Sequence, residues 1–278
     1  MKLYLYNYML GLALLIGMYS FSLDKSFVIV TASYNNKDWY QKNLDSVVNQ
    51  TYDNWRMIYI NDRSTDETGV LVHSYIQDYG LKNKIKLINN SFRRGHLANQ
   101  YYAIHTCQKD EIIIILDGDD WLANNEVLSY LNEVYQDPNV WLTYGQFWYF
   151  KKNKEGVCHP VPDSVLRNNA FRDHPAWIFS HLRSFYAGLF HMIKLGDLLF
   201  ERQFFPMAAD AATMFPMVEM AAERALFISR ILYIYNDDNP LSFYNQNKEL
   251  QQKISHKIRG KQKYQRVQSV TFVETAIA

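Results

Sequence analysis

From residue 27 onward the chain alternates between two rhythms, short β-rich apolar runs and longer segments whose apolar positions recur at helical spacing. Residues 27–31 predict a strand, 40–49 a helix with Leu44, Val47 and Val48 on one face, and 56–60 a second strand. Ser64 followed by Glu67 reads as a capping box and predicts a helix to about residue 79, with Leu71, Tyr75 and Ile76 inward. Residues 85–88 predict a third strand, 97–106 a third helix, and 112–116 a fourth strand. That fourth run has no polar alternation, the pattern of a strand covered on both faces. A helix over 126–135, ended by Asp137 and Pro138, precedes an aromatic, strand-like run at 140–149. Between 151 and 206 the periodicity weakens while His, Arg, Trp and Pro accumulate, which suggests a region packed onto the first. Helical spacing returns at 210–222, strand character at 226–235, and 246–268 is a polar, basic helix or tail.

This order predicts an α/β fold, a mostly parallel, doubly wound sheet with helices on both faces, whose ligands bind beyond the carboxyl ends of the strands. A length of 278 residues accommodates one α/β unit with additions. Lys plus Arg (29) nearly cancels Asp plus Glu (28), so no global field recruits nucleic acid, and none is expected as a partner. The 21 Tyr and 6 Trp include rings suited to covering sugar faces, although most serve the core. Cys107 and Cys158 lack metal-ligand spacing and are read as packing residues. Residues 3–21 form an apolar run, expected as an uncleaved membrane anchor or a cleaved signal peptide within 1–24. Either makes the protein membrane-associated or exported.

Four groups of residues carry candidate chemistry. Asp117, Asp119 and Asp120 follow the bare apolar strand directly, where mutual repulsion and partial desolvation favour either solvation or a divalent cation. Oxygen ligands suit Mg²⁺ or Mn²⁺. Asp62, after the second strand, is placed to accept a hydrogen bond from a base or ribose, while Ser64 and Asp66 equally suit a helix N-terminus. Arg93, Arg94, Gly95 and His96 bring cations to the same sheet edge, either for a diphosphate or as a solvated loop. Asp210 opens a helix after Ala208 and Ala209, the position of a cap as well as of a base.

Val30-Thr31-Ala32-Ser33-Tyr34-Asn35, Ser46 to Tyr52, Ile60 to Thr68 and Leu116-Asp117-Gly118-Asp119-Asp120 stand in an order and spacing that resemble the family 2 glycosyltransferases. The resemblance is strong over 26–150 and fainter to about 235. It implies a GT-A fold with acceptor-side additions: a transferase domain at 25–240, divided into a nucleotide-sugar part (25–150) and an acceptor part (151–240), and a basic helical tail at 241–278. It also implies inverting transfer from a nucleotide-sugar, often a UDP-sugar, to a glycan, lipid or protein acceptor. By position, Ala32, Ser33 and Tyr34 would line base and ribose, and Asp62 would touch the base. Asp117 and Gly118 would meet the donor, Asp117 with Asp119 or Asp120 the metal, Arg94 the diphosphate side, and Asp210 would be the base.

Two positions depart from the family pattern: Asn61 stands for an Asp and Gln100 for an Arg, which leaves room for a module that binds without turnover. No Gln-X-X-Arg-Trp motif follows, so a processive synthase is not expected. A nucleotidyltransferase is disfavoured because Ser33-Tyr34-Asn35-Asn36 lacks glycine. His174, Trp177, His181 and Arg183 are expected to border the acceptor or diphosphate pocket, and the basic tail to be a solvated helix or an anchor to anionic lipid.

Overall fold

The computed structural model describes residues 24–240 and 248–273. The apolar run at 3–21 lies outside them, and among the described residues no helix is long and apolar enough to cross a membrane.

Among the described residues thirteen strands are formed. The first four are β1 (Phe27–Ser33), β2 (Trp55–Asn61), β3 (Ile85–Asn89) and β4 (Ile112–Ile115). Then come β5 (Trp121–Leu122), β6 (Leu142–Gly145), β7 (Trp148–Tyr149), β8 (Lys154–Glu155) and β9 (Arg183–Tyr186). The last are β10 (Leu199–Phe200), β11 (Gln203–Phe204), β12 (Ala225–Ile228) and β13 (Tyr233–Tyr235). Seven of them make the main sheet, in the order β12-β6-β9-β4-β1-β2-β3. All neighbours run parallel except β9, which is antiparallel to β4 on one side and β6 on the other. Fully buried Phe27, Val28 and Ile29 of β1 and Ile112, Ile113 and Ile114 of β4 put the core at the centre of this sheet. A sheet covered on both faces requires such unbroken apolar runs. A smaller sheet, β5-β13-β7-β8, closes over the carboxyl edge, and β10 and β11 form a hairpin.

Three stretches differ from the sequence pattern. The run at 140–149 divides into β6 and β7, and that at 226–235 into β12 and β13, each pair split between the main sheet and the smaller one. Strand β9 lies inside the region of weak periodicity, and all four of its residues, Arg183 and Ser184 among them, are buried. A four-residue strand buried with its polar side chains shows no alternation to detect. The capping box does not form. The helix Thr68–Asp78 starts later than expected, Ser64 Oγ accepts the Asn35 backbone N–H at 3.0 Å, and Glu67 pairs with Lys37 at 3.2 Å.

The described part of the tail, residues 248–273, is anchored to the core at a few points. The helix Lys248–Arg259 buries Ile254 and Ile258. Beneath it, Arg172 and Glu219 form a fully buried bidentate pair, with Nε to Oε1 at 2.5 Å and an Nη to Oε2 at 2.8 Å. Arg172 also donates to the Ile258 carbonyl at 2.6 Å, and Glu219 accepts the Tyr264 N–H at 2.9 Å. One buried ion pair thus ties both sides of the C-terminal segment to the helix Ala209–Ala221.

Candidate active site

Parallel strands deliver their carboxyl ends to one edge, so Ser33, Asn61 and the loop after β4 meet there. Strand β9 runs the other way and begins where its neighbours end, which brings Arg183 opposite Ile115 and under the acidic loop. This edge opens into a cavity of about 380 Å³, walled by Ala32, Ser33, Tyr34, Asp62, the loop Asp117–Asp120 and the segment Pro206–Asp210. Gly118 is required at the turn. A Cβ there would lie 2.7 Å from Ser33 Cβ and 2.8 Å from the Asn36 amide nitrogen.

The three carboxylates of the loop hold different environments. For Asp117, burial is outweighed by His96, 3.4 Å from Oδ1, and Arg183, 3.7 Å from Oδ2, which keep its carboxyl below the ordinary range. Burial raises Asp119, whose Oδ2 accepts from Asn239 at 2.7 Å. Asp120 is 1% exposed, and burial with the charges of Asp119 and Asp117 pushes it well above the usual value. Its Oδ2 accepts the Tyr233 hydroxyl and its Oδ1 the Asn236 N–H, both at 2.6 Å. Three adjacent acids separated in this way are a common property of reactive sites.

Among the described residues, Asp117, Asp120 and His181 could hold a metal, with one ligand atom from each within 4.8 Å of the others. His181 thus enters the expected set, and Asp119 leaves that cluster because its carboxylate turns to Asn239. His181 stacks on Tyr233 with ring centroids 4.3 Å apart, and burial, with Arg183 adding, lowers its pKa to about 3. It is therefore neutral, the form that ligates. A cation fits, since the buried Oδ1 of Asp117 receives no hydrogen bond.

Asp62 lines the cavity, but its carboxylate is occupied by the loop after β3. Oδ1 accepts from Asn90 at 2.8 Å and the Arg94 N–H at 2.9 Å, and Oδ2 from the Gly95 N–H at 3.0 Å and Arg93 Nε at 3.1 Å. Burial raises this carboxyl, and the hydrogen bonds outweigh it to leave it low. Arg94 is corrected. Its guanidinium lies against Phe92 and Tyr102, away from the cavity wall, while Arg93 lies on the Tyr34 ring at 3.4 Å and forms part of that wall. Gly95, at φ +87°, stands at the start of the helix His96–Ile104. His96 lines the cavity and meets Gln100 at 2.7 Å.

Asp210 occupies the wall shared with a second cavity of about 490 Å³. It is not the helix cap, a place taken by Ala208 in the left-handed region at φ 54°, and its Oδ1 accepts the Ala211 N–H at 2.8 Å. Trp177 and His181 line the second cavity, Arg183 stays buried beside Asp117, and His174 is half-buried, its ring on the Ala176 carbonyl. Sequence reasoning missed Asn239, Tyr235 and Gln251, which come from distant segments and carry no motif.

A family model, "Glycosyl transferase family 2", matches residues 28–186. The chain belongs to that family. Its sheet is that of a GT-A fold: TarS 1–349 of S. aureus has a TM-score of 0.56 at 18% identity, over 76% of this chain and 60% of that one. A mannosyltransferase of Pyrobaculum calidifontis, solved with GDP-Man and Mn²⁺, has a TM-score of 0.60 at 18% identity, over 87% and 67%. Among curated relatives, the Escherichia coli UDP-Glc:α-D-GlcNAc-diphosphoundecaprenol β-1,3-glucosyltransferase WfgD is 28% identical over 146 residues, 52% of this chain and 54% of its own. GlyG of Streptococcus pneumoniae serotype 4 is 23% identical over 219 residues, 74% of this chain and 69% of its own. The chain spans about half the length of WfgD and of a Haemophilus influenzae glycosyltransferase that it also matches.

Proposed function

We propose that the chain is a metal-dependent, inverting glycosyltransferase that moves a sugar from a UDP-sugar to an acceptor hydroxyl. The observation that carries this is the place of Asp210, which lines both the cavity walled by the acidic loop and the second cavity. Donor in one cavity and acceptor in the other would meet at that carboxylate. The acceptor oxygen bonds to the anomeric carbon as the bond to the nucleoside diphosphate breaks, and Asp210 takes the hydroxyl proton. Attack from the side opposite the leaving group inverts the configuration. Asp117, Asp120 and His181 would hold Mn²⁺ or Mg²⁺, which supplies positive charge to the leaving diphosphate. The N-terminus of the helix His96–Ile104, with Gly95 and His96 on the cavity wall, favours the same anion. Arg93 stacked on Tyr34 offers a flat cationic surface for base and ribose.

UDP is favoured because WfgD is named for UDP-Glc and TarS is solved with UDP and with UDP-GlcNAc. The apolar run at 3–21 supports a membrane-associated or exported enzyme, which carbonate extraction of membranes tests. A panel of UDP- and GDP-sugars, with Mn²⁺ and sugar or lipid-linked acceptors, should give UDP release from one donor and a product of inverted anomeric configuration by NMR. Nucleotide binding without release from any donor would instead favour the non-catalytic module.

A further inference from the structure

A nucleotide-sugar at the acidic loop leaves the second cavity unaccounted for. Its lining is strongly aromatic, with Phe147, Tyr149, Trp177 and Phe215, and one wall comes from the helix Lys248–Arg259, beyond the residues matched by the family model. On that helix Gln251, Ser255 and Arg259 recur every fourth residue and line the cavity half-buried, while Ile254 and Ile258 enter the core. Gln251 reaches the boundary with the first cavity, and Arg259 stands about 12 Å further along the helix axis.

Arg259 is held in place. One of its Nη atoms donates to the carbonyls of Arg172 and of His174, the latter at 2.9 Å, and the guanidinium lies 5.1 Å from the Phe215 ring. Those partners are neutral, so they orient the cation without cancelling it. The nearby Asp173 is taken by Lys263 at 2.7 Å, and Lys152, the cavity's other cation, pairs with Asp237 at 3.4 Å. The charge of Arg259 therefore faces the cavity, opposite in sign to Asp210.

We infer that this helix is the acceptor-recognition element: an acceptor saccharide places its attacked hydroxyl at Asp210 and a phosphate ester on its reducing end at Arg259. Gln251 and Ser255 contact the ring hydroxyls between. A pre-oriented guanidinium suits phosphate oxygens, and the aromatic lining suits a sugar face. The inference rests on the transferase reading of Asp210, and UDP binding separates the two.

The test uses the full chain saturated with UDP. The 1-phosphates of glucose and N-acetylglucosamine are titrated against their methyl glycosides, followed by tryptophan fluorescence because Trp177 lines the cavity. The wild type should bind the better phosphate about 10-fold more tightly than its glycoside. Arg259→Gln should abolish that preference with UDP affinity held, and Arg259→Lys should keep part of it. Equal binding of each pair by the wild type, or a preference that survives Arg259→Gln, overturns the inference. Failure of UDP itself to bind overturns the donor-site reading instead. In a second arm, a decyl diphosphate glycoside binding better than a methyl phosphodiester assigns a lipid carrier, and the reverse order assigns a phosphorylated glycan.

Discussion

Replacing Glu219 by Gln should strip the buried Arg172 of its counter-charge while preserving shape. The two side chains are 0% and 2% exposed, so solvent does little to screen them, and the carboxylate accepts three hydrogen bonds, two from Arg172 and one from Tyr264. Breaking a buried pair on one side costs about 3–5 kcal/mol, because the remaining charge stays desolvated. For a chain of this size that corresponds to a fall in Tm of roughly 6–20 °C. Arg172→Met with Glu219→Met removes both charges and should recover most of the loss, since apolar groups of similar volume replace such pairs at little cost. Urea denaturation of the wild type, Arg172→Met, Glu219→Met and the double variant closes the cycle, with Glu219→Gln measured beside them. A Glu219→Gln loss under about 1 kcal/mol, or a double variant as unstable as the single, would refute the claim that the pair clamps the C-terminal segment.

Asp210→Asn should lower turnover by about 10²–10⁴-fold with UDP affinity held, and turnover near wild type would remove it as the base. Arg93→Ala should weaken UDP binding by about 10-fold while Arg94→Ala leaves it within about 2-fold, and calorimetry showing the reverse would restore Arg94 to the cavity. Gly118→Ala should cost about 1–3 kcal/mol of stability and weaken donor binding, because its Cβ would press on Ser33; an unaffected melting curve would deny that close approach. His181 has a folded pKa of about 3 against an ordinary 6.5, so below pH 6.5 the unfolded state takes a proton that the folded state refuses. Stability is then full above pH 6.5 and falls through the window down to pH 3, by about 2 kcal/mol at pH 5. A metal-free urea series in which wild type and His181→Gln show the same slope with pH would contradict this.

The sheet was legible wherever burial is two-sided. Ile112 to Ile115, apolar throughout, read as a central strand, and the helical spacing of Leu44 and Val47 marks the face that they bury in the core. What escaped was β9, because Arg183 and Ser184 are buried for reasons of partnership that exist only in three dimensions: Ser184 meets Thr143 at 2.6 Å and Tyr135 at 2.9 Å, and Arg183 meets Asp117. In the site, Asp117 and Asp210 could be located from motif and strand order. Arg93 and Arg94 could not be told apart, since the rings that separate them, Tyr34 for Arg93 and Phe92 and Tyr102 for Arg94, meet them only in the fold. Distant contributors such as Asn239 and Gln251 bear no local signal at all, because the tail that carries Gln251 reads as solvated until its buried isoleucines are seen against the core.

The reversed strand also sets an order of events for a chain growing from its N-terminus. Until β9 has been synthesised, β4 presents an unpaired edge of four isoleucines, and β6 has nothing to join. Such an apolar edge pairs readily with a second nascent chain. Translation pauses or truncations before residue 183 should therefore give aggregates, whereas chains released just beyond residue 186 have the strand that blocks that route.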